Sequence, residues 1–253
     1  MNPKTFIIAI AQFGLAGVVL LLSHYNYTWI AAVIVLAPTG YTWFRAGRSW
    51  EALLLGSPTA IIGLSVVVLV GLSRPPLGQA VLPVSSQVAV TVAYGAWLVW
   101  LRQLRLRARP SLLVLGVQQV AATSAIFLAA AFWHWPEVLV VVLTWGAIAV
   151  TTLWYLRAIG ERAAMIMAAA WALIAAELSW VLFAWQVNYV IHGGYVIIPQ
   201  FALVVAGMGY CFASIYQSHT QKRLSRRRLI EYVAITGILL AIVIAGTRWS
   251  GTS

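Results

Sequence analysis

Nine apolar runs, each close to the length of a bilayer-crossing helix, follow one another along the chain with short polar connections between them. A helix rises about 1.5 Å per residue and needs about 20 apolar residues to cross the hydrocarbon core. The runs that answer to this cover residues 5–23, 28–44, 52–72, 84–101, 111–133, 138–156, 163–185, 195–216 and 229–247. The pattern predicts an all-α polytopic transmembrane bundle of nine spans. It forms a single integral membrane domain over residues 1–253.

Charge gives the bundle a direction. Fourteen of the sixteen Lys and Arg residues fall in connections on one side of the pattern. They are Lys4, then Arg45 and Arg48, then Arg102, Arg105, Arg107 and Arg109, then Arg157 and Arg162, and finally Lys222, Arg223, Arg226, Arg227 and Arg228. Only Arg74 and Arg248 lie on the other. Cytoplasmic loops retain positive charge, so the N-terminus is expected inside and the C-terminus outside. Residues 5–22 follow Lys4 as a signal peptide would. No Ala-x-Ala cleavage site follows them, and an uncleaved first helix is expected.

Composition agrees with this picture. The chain is 62% hydrophobic and 8% charged, with a mean hydropathy of +0.92 and no Asp. A soluble domain carries roughly 25% charged residues and could not cover its surface with so few. The net charge of +11 belongs to topogenic arginines that meet anionic headgroups at the cytoplasmic face, and nucleic acid is not an expected partner. The single cysteine, Cys211, cannot form an intrachain disulfide.

Aromatic residues mark two interfaces: Trp43, Trp50, Trp97, Trp100, Trp154 and Tyr155 inside, Trp29, Trp133, Trp135, Trp185 and Trp249 outside. Trp145, Trp171 and Trp180 lie deeper and are expected in packed positions. Stripes of small residues at Ala121-Ala125-Ala129, Ala168-Ala172-Ala176 and Ala241-Ala245 let helix backbones approach closely, within the chain or against another subunit.

Candidate chemistry is sparse. Glu51, Glu161 and Glu231 stand three or four residues from Arg48, Arg157, and Arg227 with Arg228, at the inner boundary. Glu177 differs. It lies eight residues inside its span, roughly 12 Å from the outer boundary, and its helical neighbours Leu173, Ile174, Trp180 and Val181 are apolar. A membrane carboxyl is a candidate cation or proton site, with Gln200, Thr123 and Ser124 as polar groups of similar depth. The plainer alternative is a neutral carboxyl donating one hydrogen bond to a neighbouring helix. Gln118 and Gln119 lie nearer the cytoplasm.

His24, His134 and His192 all fall on the outer side, with Glu137 close to His134. They are the weak candidates for a metal site, but the spacing is not that of a metal motif, and exposed turn histidines are the simpler reading. No metal and no cofactor is expected. The segment 186–195 either folds over the outer mouth of the bundle or forms a turn around Gly193 and Gly194. No P-loop or catalytic motif is present.

Glu177-Leu-Ser-Trp180, the stretch Leu224-Ser-Arg-Arg-Arg-Leu-Ile-Glu-Tyr232, and Thr247-Arg248-Trp249 carry a resemblance in the C-terminal third. It resembles uncharacterised polytopic membrane proteins of reduced-genome candidate-phyla bacteria, grouped as a domain of unknown function. The resemblance implies no activity.

The expectation is a multi-pass protein of the bacterial cytoplasmic membrane, acting as a non-enzymatic subunit or scaffold. Its expected partners are the lipid bilayer, anionic lipids, and other membrane subunits or a second copy. Two alternatives remain. One is a small-solute or proton-coupled transporter using Glu177. The other is an enzyme on a lipid-linked substrate at the outer face, using His192, His134 and Glu137.

Overall fold

Each apolar run contains a helix. The computed structural model describes residues 3–25, 27–72, 84–106, 111–183, 188–191, 196–220 and 225–246. Among them the helices are α1 (Pro3–His24), α2 (Thr28–Arg45), α3 (Trp50–Gly71), α4 (Val84–Leu106), α5 (Leu112–Trp133), α6 (Glu137–Ala158), α7 (Ala164–Phe183), α8 (Gln200–Thr220) and α9 (Arg226–Gly246). Four of these, α5 to α8, are long and apolar enough to cross a membrane, and the protein is membrane-embedded. Shorter apolar stretches, Ala9–His24 and Gly56–Gly71, lie in α1 and α3.

The start of the eighth helix needs correction. The eighth run was expected to be helical from residue 195, yet residues 196–199 form a strand and α8 begins at Gln200. Strands β1 (Asn188–Ile191) and β2 (Val196–Pro199) pair antiparallel, with Asn188 opposite Pro199 and Ile191 opposite Val196. The reason is local. Val196, Ile197 and Ile198 are β-branched and favour extended backbone, and the residue before a proline is driven out of the α region. Gln200 is therefore the first residue of its helix, and Pro199 lies outside it. The strand β2 rests against α5 and α8.

The helix α5 is the axis of the bundle. It packs against α3, α6 and α8, and Val114, Gln118, Ala122, Ala125 and Ala129 are buried along it. On one side of it α3 receives α2, and α4 receives α1; on the other, α6 carries α7. The helix α9 packs on α8, where the Cys211 thiol donates to the Tyr232 carbonyl at 3.5 Å.

Two of the alanine stripes pack inside the chain. Ala125 and Ala129 are buried in α5, and Ala168, Ala172 and Ala176 are buried on the face of α7 that meets α6. The side chain of Ala245 lies outside the described residues. Of the three deep tryptophans, only Trp171 is packed, stacked on Phe212 with centroids 5.6 Å apart. Trp145 and Trp180 face outward, contrary to expectation: the inner face of α6 is taken by Val140, Thr144, Ile148 and Thr151, and that of α7 by Ala168, Ala172, Ala175, Ala176 and Ser179.

The pair α2–α3 shows how closely helices approach here. A Cβ on Gly56 would collide with the Thr39 side chain, and one on Gly63 with Val35 and the Tyr94 hydroxyl. One on Gly71 would press on Thr28. Rising along α3 the contacts descend α2, so the helices are antiparallel with glycines at roughly heptad spacing along the seam. The Thr39 hydroxyl donates across it to the Gly56 carbonyl at 3.3 Å. Pro58, inside α3, has no N–H for the Leu54 carbonyl, and the Ser57 hydroxyl donates to that carbonyl instead, at 2.7 Å.

Gly56→Ala is expected to destabilise the protein, since overpacking a close contact costs about 1–3 kcal/mol. Gly116→Ala, with nothing within 4 Å of the new methyl, is the control and should be at least as stable as the parent. Thermal unfolding in one detergent measures both, and equal melting temperatures would show that the seam has room.

Candidate functional site

Polar side chains gather inside the bundle where α5, α6 and α8 meet. Gln118, Gln119 and Thr123 of α5 and Thr151 of α6 are fully buried, and Thr152 nearly so. Gln119 lies seven residues from the N-terminal end of α5, and Thr152 six from the C-terminal end of α6, so both sit about 10 Å along antiparallel helices. Gln119 Nε2 donates to Thr152 Oγ1 at 3.3 Å. Its amide oxygen presses on the α-carbon face of Gly209, where only glycine leaves space. Equal depth on adjacent antiparallel helices was a usable signal for the Thr152 partnership, which sequence reasoning missed.

The remaining groups of this layer divide into two kinds. Hydroxyls are mostly spent on their own helix: Thr123 Oγ1 donates to the Gln119 carbonyl at 2.6 Å, and Thr151 Oγ1 to the Ala147 carbonyl at 2.9 Å. Gln118 is the exception in kind. Both ends of its amide are buried without a hydrogen-bond partner among the described residues, as are Gln119 Oε1 and Ser214 Oγ. A buried amide left unpaired is costly, which makes Gln118 the least settled polar group in the core.

Glu177 does not join this layer. Thr123, Ser124 and Gln200 are buried in the bundle, whereas Glu177 is exposed on α7. Depth reasoning placed the four at a similar level, but direction separates them. The buried face of α7 is Ala168, Trp171, Ala172, Ala175, Ala176 and Ser179, leaving Glu177 outward with Leu173, Ile174, Trp180 and Val181. No hydrogen bond or ion pair from the described residues reaches its carboxyl.

The histidines expected on the outer side are in different settings. His24 is half-buried, with Nδ1 3.1 Å from Gln87 Oε1. His134 is exposed and closes α5 in the left-handed conformation, φ 50°, its amide donating to the Ala130 carbonyl. Glu137 is exposed in the first turn of α6, where a negative charge suits the helix dipole. His192 lies outside the described residues. Among those described, no group of three His, Cys, Asp or Glu side chains stands together as metal ligands.

Of the basic residues expected to contact anionic lipid, Arg102, Arg226 and Arg227 are exposed. Arg105 and Arg228 are on helices, but their side chains lie outside the described residues, as do Arg107, Arg109, Lys222 and Arg223. Of the three expected Glu–Arg pairs, one forms among the described residues: Arg227 Nε lies 3.3 Å from Glu231 Oε1. Glu161 instead accepts from the Ala163 amide at 2.8 Å, and Arg48 lies 5.9 Å over the Phe44 ring. Both alternatives follow from turns with positive φ, at Arg48 and at Gly160, that redirect the side chains.

A cleft of about 410 Å³ lies between α3, α5 and α6, lined by residues such as Leu64, Val68, Ile126, Val142 and Gly146. Its one hydroxyl, Ser65 Oγ, donates to the Ile61 carbonyl at 2.8 Å, so the walls offer an apolar surface. Such a cleft suits hydrocarbon and not a polar solute.

Gln118→Leu should leave thermal stability equal to or above that of the parent, because it removes an unpaired amide. Gln119→Leu should lower it modestly, by about 0.6 kcal/mol for an average interhelical hydrogen bond. The opposite order in a detergent melting series would mean that Gln118 has a partner of its own. Comparison with known proteins brings no relative to this arrangement: no protein-family model, no curated protein and no solved structure matches the chain.

Proposed function

We propose that the chain is a non-enzymatic integral subunit or scaffold of a membrane assembly. It spans the bacterial cytoplasmic membrane nine times, with the N-terminus inside and the C-terminus outside. The observation that carries this reading is the direction of Glu177. The one carboxyl well inside an apolar run faces away from the chain's own polar core, on a surface of Leu173, Ile174, Trp180 and Val181. A group placed for transport would face the interior, among free polar groups. A group placed for assembly faces outward.

The orientation rests on the fourteen basic residues that share one side of the pattern. The exposed Arg102, Arg226 and Arg227 then meet anionic lipid at the cytoplasmic face. The rival reading, a proton-coupled or small-solute transporter using Glu177, predicts flux. Purified protein in liposomes should show no proton or solute flux that Glu177→Gln abolishes.

Extraction of native membrane patches with a lipid-retaining polymer tests the subunit reading directly. The particle should contain more protein mass than one 27.6 kDa chain. A particle holding one chain and lipid alone would overturn the proposal. Topology has its own test. In a Cys211→Ala background, cysteines at Gly78 and Gly193 should react with an impermeant thiol reagent from outside, and those at Ala108 and Ser225 should not. Labelling of Ala108 in intact cells would reverse the charge argument.

A further inference from the structure

We infer that the outward face of α7 docks a second copy of this chain, in a parallel two-fold pair that brings the two Glu177 carboxyls together. The inference rests on the subunit reading above and names the partner.

Three observations point to it. First, α7 is at the margin of the bundle, packed on α6 and touching α8, and its far face is exposed among the described residues. Second, that face carries a regular seam. Ile166, Ala170, Leu173, Glu177 and Trp180 are all exposed and follow one another at alternating spacings of four and three residues. This is the repeat that lets two helices wrap with a left-handed crossing, and Ala170 leaves space for backbones to approach. Third, the one carboxyl on the seam, Glu177, has no hydrogen-bond or ion-pair partner within the chain among the described residues, whereas Ser179 Oγ on the packed face donates to the Ala176 carbonyl at 2.6 Å.

The chemistry selects a second copy over a different helix. In a membrane, two copies related by a two-fold axis along the bilayer normal place every residue at the depth of its counterpart. Glu177 therefore meets Glu177. A carboxyl in its neutral form is both donor and acceptor, so a facing pair makes two reciprocal hydrogen bonds and needs no cation from elsewhere. A foreign helix would have to supply a donor at this depth, about 20 Å along α7 from Ala164. The two-fold supplies it without further design. The apolar seam residues above and below exclude lipid and headgroups from the pair, which strengthens hydrogen bonds inside it.

The test uses the full chain in its own membranes, in a Cys211→Ala background. A single cysteine at Leu173 should cross-link to a dimer with a short bismaleimide, and one at Val92, exposed on α4, should not. At limiting protein-to-lipid ratio, Glu177→Leu should lower the dimerisation constant about tenfold, as the loss of two interhelical hydrogen bonds implies, while Glu177→Gln, which also donates and accepts, keeps most of it. Glu177→Lys should abolish the homodimer, and co-expression with a differently tagged parent should restore a mixed dimer through a Lys–Glu pair.

Absence of a Leu173→Cys dimer in well-expressed protein would overturn the inference. If the native particle still exceeds one chain, only the choice of partner has failed. If it holds one chain and lipid, the subunit reading has failed with it. Cross-linking of Leu173→Cys to a different polypeptide likewise overturns the two-fold pair while leaving the subunit reading in place.

Discussion

A helix in lipid gains nothing by trading hydrocarbon for an apolar neighbour, and its backbone has no water to turn to. Every other feature of this fold follows from that constraint. The amides are satisfied within helices, and where one is missing, at Pro58, a serine hydroxyl serves the freed carbonyl. Cohesion between helices then depends on distance. Glycines in α3 let α2 come close enough for Thr39 to hydrogen-bond the backbone of its neighbour. Alanines do the same between α6 and α7. These contacts are dispersion at short range, individually small and numerous.

Polar groups in the core are handled with the same economy. Thr91, Thr123, Thr151, Ser65 and Ser179 each donate to a carbonyl one turn earlier in their own helix. A hydroxyl used this way presents little polarity to its neighbour, so it fits among apolar side chains without lining a path. Cross-helix polar contacts among the described residues include Thr39 to Gly56, Gln119 to Thr152, Cys211 to Tyr232, and His24 with Gln87. Each fixes the register of one helix against another at a defined level.

The lengths of the helices were legible because a run of apolar residues ending in arginine has one economical fold in a bilayer. The exception, residues 196–199, fails for a physical reason: Val196-Ile197-Ile198 is as hydrophobic as a helix segment, and hydropathy alone does not separate the two. Rotation was harder. A helix that is apolar all round has no hydropathy signal to say which side faces in, so Trp145, Trp180 and Glu177 were read by depth alone. A signal did exist in α7. Five of its seven alanines, Ala164, Ala168, Ala172, Ala175 and Ala176, lie on the face that packs, with Ala169 and Ala170 on the other. Glu177 follows directly after Ala176 and falls off that face. Small-residue position, rather than hydropathy, carries rotation in such a helix.

That lesson bears on how a single carboxyl is weighed in a membrane chain. Depth alone made Glu177 a partner for Thr123, Ser124 and Gln200. Rotation turns Glu177 to the exposed side of α7, while the other three are buried in the bundle. The hydroxyl of Thr123 is already committed to the Gln119 carbonyl, and the core groups left unpaired among the described residues, such as the Gln118 amide, form no hydrogen bond with Glu177. Outside, the carboxyl sits on a seam that is otherwise Ile, Ala, Leu and Trp. In hydrocarbon an unpaired polar group is a cost that packing within this chain does not offset. The proposed assembly would offset it. Under the two-fold pairing, one monomer's most unfavourable surface group becomes the dimer's most specific contact, and the same group that penalises misplaced lipid contact defines the register in which two copies meet.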